Sequence, residues 1–458
     1  MRIFTDKRIK KQLIIMTIFF AFQELINVLI GTINTIMLGP TLEAHMAEKT
    51  ISAVGFAFQI FVLLNAIMSA LVYISNLFYS QHYGRGDIPQ VEKDYYFCQK
   101  LSFLIGLLFM VLSIACPNQL IAIFAQGDQE VIEIGGEYLR IFGISFMFMP
   151  LSLMNYSLMK NTRLELKATI CSIGTLSTIV ILNSIFLYGL HIGPIGAALS
   201  ITIARFLEFV VTTIIVKFKC VVKPNIKGVI NPDFSRFKTS SKIMAPIFVA
   251  KIMWGLGVAA SVIIIALFND RELNAANQLM LLGQNLVNCF CEGNCVAIGI
   301  IVGRELGANR LIKVKETTHD LMKFCPIYGL ILIGVFMLFL PFNWALNRNI
   351  SETTLLYMIL LFVIQAGMYI PRVYNCCIVN GILITGGDTR FSCIFDVSAY
   401  WVIIIPFSII SFKFGWHPLV PLILVQLEEG LKTPFFYYRY RQYKWINNLT
   451  HKKGIVFN

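Results

Sequence analysis

The sequence predicts an all-α polytopic membrane protein of about twelve transmembrane helices. They are grouped as two six-helix lobes with a pseudo-two-fold axis along the membrane normal. Three observations predict it. The chain of 458 residues is 57% hydrophobic and only 14% charged, too little charge to cover a soluble protein of this size. Its apolar residues fall into runs of the roughly 20 residues needed to cross a bilayer. Its basic residues collect at alternate loops between those runs.

The apolar runs lie at about 12–38, 51–80, 96–116, 137–159, 168–188 and 193–217, then at about 243–268, 273–302, 321–341, 354–381, 391–412 and 417–437. A polar stretch containing Pro224, Gly228 and Pro232 separates the two series. This divides the chain into a first lobe at 1–217, a linker at 218–242, a second lobe at 243–437 and a tail at 438–458.

Charge sets the expected orientation. With the N-terminus cytoplasmic, the N-terminal tail, the even loops, the linker and the C-terminal tail hold most of the Lys and Arg. Examples are Lys10, Arg85, Lys160, Arg163, Lys219, Lys227, Arg310, Lys313 and Arg441. The odd loops carry only Lys49, Arg140, Arg271, Arg348 and Lys413. This asymmetry puts both termini and the linker in the cytoplasm, in a multi-pass protein of the inner (plasma) membrane. It also accounts for the net charge of +13 without nucleic acid, because basic loops meet anionic inner-leaflet lipid.

The 11 cysteines lie mostly within apolar runs and read as small, soft packing residues. Cys289, Cys291 and Cys295, at i, i+2 and i+6 of one helix, do not converge on one metal, and no metal is expected. The first apolar run is too long for a signal peptide and lacks a small-residue cleavage site. No phosphate-binding loop is present, so ATP is not the expected energy source, and no enzyme motif stands out. Asn349-Ile350-Ser351 is formally a glycosylation sequon, but the signal is weak.

The halves carry a short repeat. Tyr83-Gly84-Arg85-Gly86 follows the second span, with Val91 seven residues after Gly84. Leu306-Gly307-Ala308-Asn309 follows the eighth, with Val314 seven after Gly307. An even number of spans per half keeps the two halves in one orientation, an arrangement common in transporters whose substrate site lies near the midplane.

Several segments resemble the multidrug and toxic compound extrusion (MATE) family. Asn380-Gly381-Ile382-Leu383-Ile384-Thr385-Gly386-Gly387-Asp388-Thr389-Arg390, followed by Asp396 and Trp401, is similar to the family loop after the tenth span. Val302-Gly303-Arg304-Glu305-Leu306-Gly307-Ala308-Asn309 and Gln81-His82-Tyr83-Gly84-Arg85-Gly86-Asp87 resemble its matching loops in the two halves. Pro246 to Trp254 with Gly257, Glu428 to Lys432 and Lys444 to Thr450 extend the likeness over nearly the whole chain. The resemblance implies an antiporter that exports small, often cationic amphipathic compounds by alternating access. It implies H⁺ or Na⁺ as coupling ion, no other cofactor, and a monomer whose partners are the bilayer and a small-molecule substrate.

The sequence departs from the family at the positions that usually couple transport to ions. The family Asp late in the first span is Asn34. In the fifth span Asn183 is present, but the acid expected four residues later is Leu187. The Glu near the start of the seventh span is Lys251, and the Arg of the loop after the tenth span is Ile384. Asn34 and Asn183 remain candidate ligand-binding residues, against the plainer reading of Asn as an interhelical hydrogen-bonding residue.

Ionisable residues within the spans are costly and mark function or buried pairs. They include Glu24, Arg205, Glu208, Lys251, Glu292, Arg372, Asp396, Glu428, Glu429 and Lys432. Counted from the cytoplasmic ends of their spans, Lys251, Glu292 and Arg372 lie at depths of ~12, ~15 and ~14 Å. These three form a candidate charge cluster, either a structural ion pair or a substrate or ion site in which Glu292 replaces the missing family acid. Arg205 and Glu208, three apart, read as a structural pair. The alternative functions are a lipid-linked sugar flippase, favoured by basic residues at Lys251 and Arg372, and a membrane-embedded enzyme or receptor.

Overall fold

The structure, a computed structural model, describes residues 6–41, 44–125, 127–225, 228, 237–268, 270–346 and 351–449. Among them there are helices and no strands. In the first half they are α1 (Lys7–Leu38), α2 (Ala44–Arg85), α3 (Ile88–Ala115), the short α4 (Pro117–Ala122), α5 (Gln129–Phe142), α6 (Ser145–Asn161), α7 (Glu165–Asn183) and α8 (Pro194–Lys219). In the second half they are α9 (Phe237–Ala266), α10 (Arg271–Gly307), α11 (Leu311–Leu346), α12 (Glu352–Cys376), α13 (Thr389–Ser398), α14 (Ile405–Lys413), α15 (Leu419–Gln426) and α16 (Glu428–Arg441).

Ten helices among the described residues are long and apolar enough to cross a membrane. The 32 residues of α1 and 42 of α2 give helices of ~48 and ~63 Å, longer than a ~30 Å hydrocarbon core. Their ends are set by local chemistry. Asp87 caps α3 by accepting the Gln90 N–H at 3.3 Å, Asp270 caps α10 through Leu273 at 2.9 Å, and Ser351 caps α12 through Thr354 at 3.1 Å.

The side-chain distribution inverts that of a soluble protein. Leu63, Leu108, Ile170, Leu330 and Val402 are exposed, while Asn34, Ser75, Asn155, Asn183 and Asn294 are fully buried. Lipid accepts the apolar exterior, and interior polar groups find partners on neighbouring helices. Asn155 is an example: Tyr95 Oη donates to its Oδ1 at 2.7 Å, Gln99 Nε2 at 2.8 Å, and its own Nδ2 donates to Thr212 Oγ1 at 3.1 Å.

Several predicted spans are not simple rods. The fourth is the pair α5 and α6, bent by 45° between Phe142 and Ser145, with Pro150 inside α6. The twelfth is broken between α15 and α16. The break puts Glu428 and Glu429 in the first turn of α16, where free backbone N–H groups favour carboxylates. The fifth, tenth and eleventh spans each contain a π-helical segment, at Ser184–Gly189, Cys377–Leu383 and Ala399–Ile404. The sequon residues Asn349 and Ile350, linker residues 226–227 and 229–236, and the last nine residues of the tail lie outside the described residues.

The chain forms two compact units. One comprises Met1–Phe22, Ser80–Gly86 and Lys238–Asn458, and the other Gln23–Tyr79 and Asp87–Phe237. Within the first, the repeated loop motif becomes a reciprocal helix crossing. A Cβ on Gly84 would lie 2.1 Å from the Arg304 carbonyl oxygen, and one on Gly307 would lie 1.8 Å from that of Gln81. Each glycine thus faces the backbone three residues before the other. Two residues further on, Gly86 has φ +82° and Asn309 has φ +57°, the left-handed geometry that Gly and Asn tolerate at helix ends.

Candidate ion and substrate site

In the unit Gln23–Tyr79 plus Asp87–Phe237, the structure brings Asn34 and Asn183 together. Asn183 Nδ2 donates to Asn34 Oδ1 at 3.1 Å, and Asn34 Nδ2 donates to the Tyr138 hydroxyl at 3.2 Å. Both asparagines are fully buried, and the Asn183 Oδ1 has no hydrogen-bond partner. A buried acceptor without a donor is costly, so this oxygen is suited to receive one from a ligand or an ion's hydration shell. Leu187, on the π-helical segment that continues α7, is fully buried and adds no charge.

The same unit holds the Arg205–Glu208 pair expected from spacing, with Nη1 donating to Oε2 at 2.8 Å and Tyr156 Oη donating to Oε1 at 2.8 Å. Lys160, read from sequence as a loop cation, is instead only 4% exposed and lies 3.6 Å from Glu24. It is the penultimate residue of the 17-residue α6 and packs inside the helix bundle, so one basic residue leaves the loop tally and Glu24 gains a counter-charge.

In the other unit, Lys251 Nζ donates to Asn380 Oδ1 at 3.2 Å. A small cavity there is lined by Ala250, Lys251, Asn380, Ile384, Cys393 and Asp396. Two departures from the family pattern therefore meet in one place: the base Lys251 where an acid is usual, and neutral Ile384 where a base is usual. Asp396, within electrostatic reach of Lys251, is held by Lys432 at 2.9 Å, and Lys432 also pairs with Glu428 one turn away. Arg372 lies in the field of Glu429 and Glu428, and Asn375 Nδ2 donates to Glu429 Oε2 at 2.8 Å. Glu292 accepts from the Cys295 thiol at 3.5 Å.

Lys251, Glu292 and Arg372 are thus linked through shared cysteine neighbours. Glu292 and Lys251 both act electrostatically on Cys376, and Glu292 and Arg372 both act on Cys291. Spacing alone did not single out Tyr138, Asn375 or Cys376; Cys295 was weighed only with Cys289 and Cys291 and set aside, and Asn380 appeared only as the start of a loop motif. Tyr138 is the least legible, because only the fold places it opposite Asn34. Asp396, Glu428 and Lys432 were visible as charges within spans, but their mutual pairing was not. The Asp388 carboxylate receives Arg439 Nε at 2.6 Å and belongs to the loop's anchoring. Gly387 there has φ +81°, whereas a Cβ on Gly386 would lie 2.0 Å from the Trp445 carbonyl oxygen. Only one of this glycine pair serves a left-handed turn; the other permits a close approach.

Helices of this length, with polar side chains paired inside and apolar ones outside, define a polytopic membrane protein, and its fold is that of the MATE transporters. Residues 20–188 match the family model MatE. An outward-facing multidrug resistance MATE family transporter of the MOP superfamily superposes with a TM-score of 0.83 at 14% identity, over 95% of each chain. A MOP superfamily transporter from Pyrococcus furiosus, described as having a binding pocket of reverse polarity that suggests a different function, matches with the same TM-score, identity and coverage. The eukaryotic MATE transporter AtDTX14 superposes with a TM-score of 0.80 at 15% identity, over 96% of this chain and 97% of that one.

Relatives in sequence are called multidrug export protein MepA. The protein from Staphylococcus haemolyticus (strain JCSC1435) is 26% identical over 185 residues, 40% of this chain and 39% of that protein. The one from Staphylococcus aureus (strain MSSA476) is 26% identical over 243 residues, 50% of each chain. In these matches the chain spans about two fifths to half the length of the curated relatives. The family resemblance read from the motifs is borne out by the MatE match and the shared fold.

Proposed function

We propose that this protein is an ion-coupled antiporter that exports small, often cationic amphipathic compounds by alternating access, with H⁺ or Na⁺ as the coupling ion. It acts as a monomer in the plasma membrane and carries out no chemical transformation of its cargo. The observation that carries the reading is the joint likeness to MATE proteins: the MatE match over residues 20–188 and the shared fold over 95% of the chain. The relatives named as multidrug export proteins support the same cargo class.

With Asn34 neutral, coupling through a carboxylate is assigned to the second half. Glu292 is the acid of choice there, because Asp396 and Glu428 are both held by Lys432. An acid paired with a buried lysine already has its counter-charge and is tied into the helix packing. The test is dye efflux from proteoliposomes under an imposed pH or Na⁺ gradient. Wild-type protein is expected to respond to one of the gradients, and Glu292→Gln is expected to lose that response while still inserting and melting like the wild type. Gradient-driven efflux at the wild-type rate in Glu292→Gln removes this residue from coupling.

One observation favours a second reading. Lys251 replaces an acid, and Arg372 is a second base in the same half, which suits an anionic cargo such as a lipid-linked sugar phosphate. Failure of cationic dyes to move, with transport or binding of a polyprenyl-phosphate sugar, selects this reading over the first.

A further inference from the structure

Glu292 and Cys295 are three residues apart on α10 and share one helix face. Facing them is Cys376, the last residue of α12 before the chain passes into the π-helical segment Cys377–Leu383. One carboxylate oxygen and the two sulfurs all lie within 4.8 Å of one another. Around a tetrahedral zinc-type ion, bonds of about 2.3 Å to sulfur and 2.0–2.2 Å to oxygen put neighbouring S and O donors about 3.5 Å apart and two sulfurs about 3.8 Å apart. The Cys295 Sγ to Glu292 Oε2 distance is 3.5 Å.

We propose that Glu292, Cys295 and Cys376 form a binding site for a thiophilic divalent metal ion of the zinc–cadmium class. Two sulfurs and one oxygen are a donor set of the softness such ions prefer over Mg²⁺ or Ca²⁺. Binding releases the two thiol protons to solvent, so the three ligands carry three negative charges against the ion's two positive ones. Lys251, whose charge acts on Cys376, balances the remainder. The outer partner of Cys376 is Asn380, whose Nδ2 donates to Sγ at 3.8 Å while its Oδ1 accepts from Lys251 at 3.2 Å. An outer amide of this kind orients a metal ligand from behind. Cys295 is buried, whereas Glu292 and Cys376 are partly exposed, so an ion and its fourth, exchangeable ligand approach from their side. π-helical turns within α-helices are frequent at functional sites, and the one after Cys376 sets the position of Asn380. The run Cys289, Cys291, Cys295 on one helix does not converge on an ion; the site takes one of these three and completes itself from a second helix.

The site shares only Glu292 with the proposed coupling reaction. Equilibrium binding to the full-length protein in detergent, without any gradient, therefore tests it separately from transport. With thiols kept reduced, the wild type is expected to bind one Cd²⁺ per chain and to show thiolate-to-cadmium charge-transfer absorption. Cys295→Ser and Cys376→Ser are each expected to lose both signals, and Asn380→Ala to weaken binding about 10- to 100-fold. Cys116→Ser and Cys171→Ser, which alter the other two cysteines that are not buried, are expected to leave both signals unchanged. Melting curves for all variants separate loss of the site from loss of fold. Cadmium stoichiometry and absorption that persist in a folded Cys295→Ser/Cys376→Ser double variant, or that are absent in the wild type, overturn the proposal.

Discussion

Asn183 donates from Nδ2 to Oδ1 of Asn34 across 3.1 Å, which ties the first predicted span to the fifth. The family acid usually stands at the first of these positions. A carboxylate there would find donors in place, since the Asn183 amide already points at Oδ1 and the Tyr138 hydroxyl can rotate to donate to the other oxygen. Asn34→Asp is therefore expected to fold and to add a protonatable group to the first half. The measurement is the pH profile of efflux in proteoliposomes. A changed profile is the expected outcome, and one that superimposes on the wild type shows that this site takes no part in coupling.

The Arg205–Glu208 pair is 5% and 1% exposed in its side chains, so removing one partner strands a buried charge. Arg205→Met alone is expected to destabilise the protein by roughly 3–5 kcal/mol. Arg205→Met combined with Glu208→Leu is expected to recover most of that loss, because apolar replacement of both partners is often neutral. Thermal unfolding in detergent checks the cycle, and a double variant no more stable than the single one argues that the pair does more than offset charge.

The crossing at Gly84 and Gly307 leaves no room for a methyl group. Gly84→Ala and Gly307→Ala each drive a Cβ into backbone rather than into a side chain that can move, so each is expected to destabilise by about 1–3 kcal/mol. Gly86→Asn tests the other role of glycine. Nothing lies within 4 Å of its Cβ position, its φ is +82°, and the equivalent Asn309 already adopts this geometry. It is expected to melt close to the wild type, and a loss as large as that of Gly84→Ala refutes the distinction between space and backbone angle.

Orientation has a direct test in Cys116, the exposed cysteine that follows α3. With the N-terminus cytoplasmic, the end of the third span is extracellular. In a protein carrying Cys171→Ser and Cys376→Ser, a membrane-impermeant maleimide is expected to label Cys116 on intact cells. Labelling only after permeabilisation inverts the topology drawn from the basic residues.

The tenth and twelfth spans show how far the sequence was legible. Cys376 to Gly381 reads as the end of the tenth apolar run, with the loop motif starting at Asn380, yet the chain widens there into a π-helical turn that brings Asn380 to both Lys251 and Cys376. Nothing in apolar run length distinguishes an α turn from a π turn. In the twelfth span, Glu428, Glu429 and Lys432 were visible as charges, but only the break after Gln426 shows why two carboxylates are tolerated at that depth. Lys160 was misplaced for a related reason. A lysine near a span end reads as a loop cation unless the depth of its helix and the presence of Glu24 are known.

The sequence by itself determined the number and order of the apolar helices, the basic asymmetry, the Gly84/Gly307 repeat and the departures at Asn34, Leu187, Lys251 and Ile384. The first three are properties of composition and spacing along the chain, and the cost of exposing apolar groups to water or peptide groups to lipid fixes the apolar runs locally; the departures are read against the family pattern that the motifs resemble. Only the tertiary structure decided which polar groups on different helices meet. Asn34 finds Asn183 and Tyr138, separated from it by 149 and 104 residues, and Lys251 finds Asn380 across 129. Such pairings depend on helix rotation, bends and π turns, which hydropathy does not encode. The need to satisfy each buried donor and acceptor selects among them only once the helices are packed.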